Sequence, residues 1–191
     1  MCGLVMFNIV TSRAYLAKLE ADFADFMKER GSERLALNCA VTAYHLHEWV
    51  WRDWLKNDQS TRRVLGIAKD RRNFLAWIER ACVWFLAIQE LATGAKHMQN
   101  LSFKAMRVSL LPSARKLPNA GFEDSHWDGP MPFITGDTEV LLIDTGPEAE
   151  EHRWMLVGEL LYVVVRFWRE FFERYAPPVP PEDSTIVEAA S

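Results

Sequence analysis

The sequence predicts a mainly α protein, an up-and-down bundle of about four long helices with an inserted β-hairpin. Three observations carry the prediction. Apolar residues recur at spacings of three and four along three stretches and crowd most positions of a fourth. Two short runs, Leu101–Leu111 and Thr138–Thr145, read instead as strands around a loop rich in Pro, Gly and Asn. And 191 residues, 49% of them apolar, suffice for one sizeable core. The expected layout is one helical domain over residues 1–176, with the hairpin insert at about 101–146 and a disordered Pro-rich, acidic tail at 177–191.

The elements follow in order. Leu4–Val10 is a short apolar run leading to Thr11 or Ser12 as a helix N-cap. Tyr15, Leu19, Phe23, Phe26 and Met27 form one apolar stripe, which Gly31 stops. Ser32 caps a second helix that runs to about Lys56 and contains Asn38–Trp54, NCAVTAYHLHEWVWRDW. After the turn cluster Asn57–Ser60, Thr61–Lys69 reads as a short crossing helix. Asp70 caps a third long helix whose wide apolar face extends from Phe74 to Leu91 and stops at Thr93-Gly94. Pro147, followed by Glu148, Glu150 and Glu151, suits the first turn of a last helix running to about Tyr175.

Charge and cysteine usage bound the function. The net charge is −4, so no global basic field points to nucleic acid or membrane. The run Trp154–Trp168 carries Glu159 and Arg166 and falls short of the ~20 apolar residues that a bilayer requires, so no membrane partner is expected. Cys39 and Cys82 sit in apolar helical patterns as small hydrophobes, and MCGLVMFNIV lacks the basic start of a secretory signal. A cytoplasmic, reducing location is the expectation. Charge is nonetheless uneven. Arg52 to Arg72 holds seven basic residues against three acids, whereas Ala120 to Glu151 holds nine acids and neither Lys nor Arg. Arg52, Lys56, Arg62, Arg63, Arg71 and Arg72 are therefore candidate phosphate contacts for RNA, with a solvated helix connection as the plainer reading.

Chemistry concentrates in Asn38–Trp54. At about 100° per residue, Asn38, Val41, Glu48, Trp49 and Arg52 fall within roughly 60° of His45, while His47 lies about 160° away. The two histidines cannot serve one small site. His45 and Glu48, three apart, can touch, as a base with its orienting carboxylate or as a satisfied polar pair at the margin of a tryptophan-rich core. His97, just past the third helix, is a possible third ligand in a His45/Glu48/His97 metal site, and Lys96 a possible anion clamp. Specific signatures are missing: Trp51 replaces the second histidine of H-E-x-x-H, and the chain has no glycine-rich phosphate loop, no G-x-S-x-G elbow and no paired Cys/His zinc spacing. No cofactor is called for.

The helix bearing YHLHEW (Tyr44–Trp49), the GAKH segment (Gly94–His97) closing a long helix, and the hairpin before a final helix together resemble the HEPN superfamily and uncharacterised bacterial helical proteins placed near it. Catalytic members of that superfamily are dimeric ribonucleases with an Arg-x4–6-His motif. With its histidine aligned on His97, Glu90, Leu91 or Ala92 occupies the arginine position. The resemblance therefore implies a non-catalytic binding or regulatory module of unknown partner, with a protein and, less favoured, RNA as the candidates. The eight tryptophans suggest a homodimer through tryptophan-bearing faces. The alternative is a divergent nuclease or metal-assisted hydrolase using His45, Glu48, Lys96 and His97.

Overall fold

The computed structural model describes residues 9–94, 104–110, 138–144 and 154–178. Its elements are α1 (Ser12–Lys28), α2 (Glu33–Val50) with a π-helical turn at Trp51–Leu55, α3 (Gln59–Leu65), α4 (Arg71–Ala81), α5 (Phe85–Gly94), β1 (Lys104–Leu110), β2 (Thr138–Asp144), β3 (Trp154–Leu156) and α6 (Val157–Tyr175). The expected class holds: a helical body with an inserted antiparallel hairpin. β1 and β2 pair from Lys104 opposite Asp144 to Leu110 opposite Thr138.

Side-chain caps set three helix starts, whereas Ser32, at the N-cap of α2, makes no side-chain capping bond. The Thr11 hydroxyl accepts from Ala14 N, the Asp58 carboxylate from Thr61 N and the Asp70 carboxylate from Arg72 N, each satisfying one of the first-turn donors that a helix leaves orphaned. α3 closes on Gly66 at φ 67°, a left-handed conformation in which a Cβ would meet no atom but would strain the backbone.

α2 is the central element. Its buried line runs Ala36, Cys39, Ala40, Ala43, Leu46, Val50, the first four small enough to admit close neighbours. α6 brings Leu160, Leu161, Val164, Val165 and Trp168 into the same core. The Trp168 indole is fully buried, and its Nε1–H donates to the Ala43 carbonyl at 2.9 Å, so its one polar atom is satisfied where water is excluded. Further along α6, Phe171 packs with Trp54, Phe74 and Trp77. From the sheet, Leu141 and Ile143 of β2 join this core, one face of a strand in which side chains alternate.

Two elements differ from expectation. The third long helix is two helices: Cys82 leaves helical geometry at φ −129°, ψ 100°, and α5 restarts at Phe85, whose N–H donates to the Cys82 carbonyl at 3.0 Å. Cys82 and Phe85 are both buried around this corner while Val83 is exposed, so the apolar pattern is satisfied without a straight axis. The last helix begins at Val157, because Trp154–Leu156 pairs with β2 as a third strand, in the order β1-β2-β3. Pro147 and its neighbouring acids, most of the Leu4–Val10 run and nearly all of the tail lie outside the described residues. Among the described residues no helix is long and apolar enough to cross a membrane.

Candidate functional site

His45 and Glu48 do meet, with Nδ1 and Oε2 3.5 Å apart. The surroundings differ from a core margin: the two side chains are 43% and 42% exposed. Glu48 turns mainly to α4, where its Oε1 accepts from Arg71 Nη1 at 2.6 Å. The three residues form a polar chain across the α2–α4 surface, open to solvent, and exposed pairs of this kind contribute at most about 1 kcal/mol each. His45 rests edge-on against Tyr44.

His47 lies on the opposite side of α2, as the helical geometry requires. It is buried, its Nδ1–H donates to the Tyr44 carbonyl at 2.6 Å, and its ring packs edge-on against Phe85 at the start of α5. Burial lowers its pKa; the Tyr44 carbonyl and the Glu48 charge partly oppose that shift. The neutral imidazole is a packing group of the α2–α5 seam.

A second polar knot was not singled out from sequence. Lys18 Nζ of α1 bonds Asp22 Oδ2 at 2.5 Å and the buried Thr42 hydroxyl of α2 at 2.7 Å, and that hydroxyl reaches Asp22 Oδ2 at 2.6 Å. Beside it, Tyr15 stacks on Trp49, with ring centroids 4.7 Å apart and planes 15° apart. Burial raises the Tyr15 phenol, and Asp22 raises it further. Lys18 and Asp22 are an i,i+4 pair, a sequence signal, but Thr42 meets them only through helix packing. In the same core, burial pushes the Cys39 thiol up to about 12 and the Cys82 thiol up to about 11, so neither is a nucleophile near neutrality.

The basic stretch divides. Arg62 is not a phosphate contact. It is 9% exposed, and its Nη1 donates to the Leu55 carbonyl at 3.0 Å and to the Lys56 carbonyl, closing the C-terminal end of the π turn. Arg71 is held by Glu48. Arg52, Lys56, Arg63 and Arg72 are exposed, as is Lys69, and among the described residues these five make no ion pair. The three acids nearby are occupied differently: Asp53 accepts from Ser12 N and Oγ at 2.8 and 2.7 Å, and Asp58 and Asp70 cap helices.

Lys96 and His97 lie outside the described residues, so a His45–Glu48–His97 grouping is not part of the geometry above. Among the described residues no three His, Cys, Asp or Glu side chains gather as a metal-binding group. Six tryptophans pack against this chain's own core: Trp51 and Trp168 are buried, and Trp49, Trp54, Trp77 and Trp84 are partly buried against it. Among the described residues, the exposed large apolar side chains are instead Val10, Leu37, Val64, Val83 and Leu86. The chain matches no known family model, curated protein or solved structure.

Proposed function

We propose that this chain is a non-catalytic, HEPN-like helical binding module, and that the outer face of α2 and the start of α4 form its recognition surface. One observation carries the reading. The Glu48 carboxylate is engaged by Arg71 at 2.6 Å and faces His45 at 3.5 Å on an open surface. A carboxylate held at 2.6 Å by a guanidinium and only 3.5 Å from the imidazole is a poor orienter for a catalytic His45, and an open surface lacks the water exclusion that strengthens catalytic electrostatics. The same groups are well suited to presenting charge at a fixed place. The homodimer belongs to this proposal in altered form. Trp51 and Trp168 are buried and Trp49, Trp54, Trp77 and Trp84 are half-buried against the core, so self-association would draw mainly on other surface, such as the α4–α5 corner where Val83 is 70% and Leu86 53% exposed.

The test is incubation of the purified chain with a mixed-sequence RNA and with phosphodiester and ester reporters, with and without Mg²⁺, Mn²⁺ or Zn²⁺. The expected result is intact substrate throughout and an unchanged fold in His45→Ala and Glu48→Gln. Hydrolysis that disappears in both variants would overturn the module reading in favour of the hydrolase. Light scattering at tens of micromolar decides the oligomeric state.

A further inference from the structure

Cys82 breaks the helix ahead of α5, so a corner, and not continuous helical hydrogen bonding, attaches α5 to α4. α4 keeps anchors of its own, Phe74 against Trp51 and Phe171, and Trp77 against Phe171. α5 buries Phe85, Ala87, Ile88 and Ala92, two of them alanines, and it rests chiefly on α2. Its one aromatic ring, Phe85, lies against Tyr44 and His47 of α2 and Trp168 of α6. A short helix on one seam, behind a non-helical corner, is the kind of unit that opens by itself.

His47 is the titratable group in that seam. It is buried, and its hydrogen bond runs to the Tyr44 carbonyl of its own helix, so α5 meets it only with the apolar Phe85 ring. Of the charges that bear on it, Glu48 on the same helix favours the imidazolium, while Arg71 from α4 and His45 oppose it. Among the described residues none comes from α5 or α6. Glu48 is itself engaged by Arg71 at 2.6 Å, and the cost of burial is the largest influence on the ring. A proton gained at Nε2 therefore places a poorly compensated charge inside a closed seam, and opening the seam returns that charge to water.

We propose that acidification releases α5 from α2, with protonation of His47 as the trigger and the corner at Cys82–Trp84 as the hinge. Opening uncovers Tyr44, His47 and Trp168, a mainly apolar seat that Phe85 fills when His47 is neutral. Protons favour the open form by the ratio in which they bind it more tightly. With the uncovered imidazole near its ordinary value of about 6.5, a fall from pH 7.5 to pH 5 multiplies the open population by up to about 30-fold. α1, α4 and α6 pack against α2 separately and need not move. The device does not depend on the module reading, and either can fail alone.

The chain's own cysteines report it. The Cys82 sulfur accepts from the Trp84 and Phe85 N–H groups, so it is bared when Phe85 leaves its seat. Cys39, buried beside Lys18 and Asp22 on the α1 side of α2, stays covered. In a Cys2→Ser background, labelling by 4,4′-dithiodipyridine is followed at pH 7.5 and pH 5, each rate divided by that of the urea-unfolded chain at the same pH. Cys82 should label about 3- to 30-fold faster at pH 5, Cys39 should not change, and His47→Gln should flatten the Cys82 response. Arg71→Gln removes a cation that opposes protonation and frees Glu48, so it should raise the pH midpoint of that response, a second test that does not require His47→Gln to fold. The proposal is overturned by a Cys82 rate indifferent to pH, by an equal rise in His47→Gln, or by a midpoint that Arg71→Gln leaves in place or lowers. Cys39 rising in step with Cys82 would also overturn it, because the whole core would then be loosening.

Discussion

Arg62 and Arg63 are neighbours in sequence with opposite fates, and replacing each by methionine separates them. The Arg62 guanidinium is buried and donates to the Leu55 and Lys56 carbonyls, two acceptors left over where the π turn ends. Methionine keeps an apolar stem but removes both charge-assisted bonds, each worth about 1.5–3 kcal/mol, and leaves buried carbonyls unsatisfied. Relief from desolvating the cation offsets part of this, so the expected net loss is about 2–3 kcal/mol. For a chain of 191 residues that corresponds to a fall of about 5–10 °C in Tm. Arg63→Met, on the exposed side of the same helix, should stay within about 0.5 kcal/mol of wild type. Urea titration followed by tryptophan fluorescence measures both. Losses that agree to within about 0.5 kcal/mol would show that Arg62 does not close the helix end.

Four further outcomes are expected. Gly66→Ala should cost about 1 kcal/mol through the positive φ alone, since a Cβ there meets open space, and Gly66→Asn should cost less; thermal melts compare the two. Trp168→Phe removes the bond to Ala43 and leaves a void beside Phe85, a loss of about 2–4 kcal/mol in chemical denaturation. Burial holds the folded pKa of His47 below the ordinary imidazole value of about 6.5, so the unfolded chain takes up its proton first; the stability contribution is full above about pH 6.5 and is lost as pH falls through the lowered value. Urea midpoints at pH 7.5 and 5 should therefore diverge more for wild type than for His47→Gln. Glu159 shows the opposite sign: burial raises its carboxyl and its Oε1 is unpartnered, so its contribution is full below about pH 4.5 and is lost as pH rises through the folded value. Glu159→Gln should melt higher than wild type at pH 7 and converge with it near pH 4.

The helix starts at Ser12 and Arg71 were legible because an Asp or Thr cap beside an apolar stripe is a local signal that packing seldom overrides. So was the hairpin, where alternation and turn residues agree. The corner at Cys82–Trp84 was not, because ACVWFL carries neither Gly nor Pro and keeps a helical apolar spacing through the break. β3 was hidden for a different reason: three residues are too few to show a period, and the next nineteen are helical. At the candidate site, wheel geometry separated His45 from His47 and paired His45 with Glu48 correctly. Their exposure was not legible, nor were the partners Arg71 and Thr42, which arrive from contacts 20 or more residues away. Charge counting likewise located the basic stretch but could not say that Arg62 faces inward.

The π turn at Trp51–Leu55 changes what Asn38–Trp54 is. Lys56 N bonds Trp51 O across five residues where an α rung would span four. That extra residue resets the rotational phase of the helix at Val50. Upstream, α2 packs against α1, α4, α5 and α6; downstream, Trp54 reaches the Ser12 hydroxyl and Phe171, while the Leu55 and Lys56 carbonyls meet Arg62. Deleting one residue within the turn would turn every later side chain by about 100° relative to α2. Composition and hydrophobic pattern would barely change, yet the anchor at Ser12 and the closure by Arg62 would both be misaddressed. This single widened rung lets one continuous segment meet α1 and α6 in two different rotational phases and add α3 at its end.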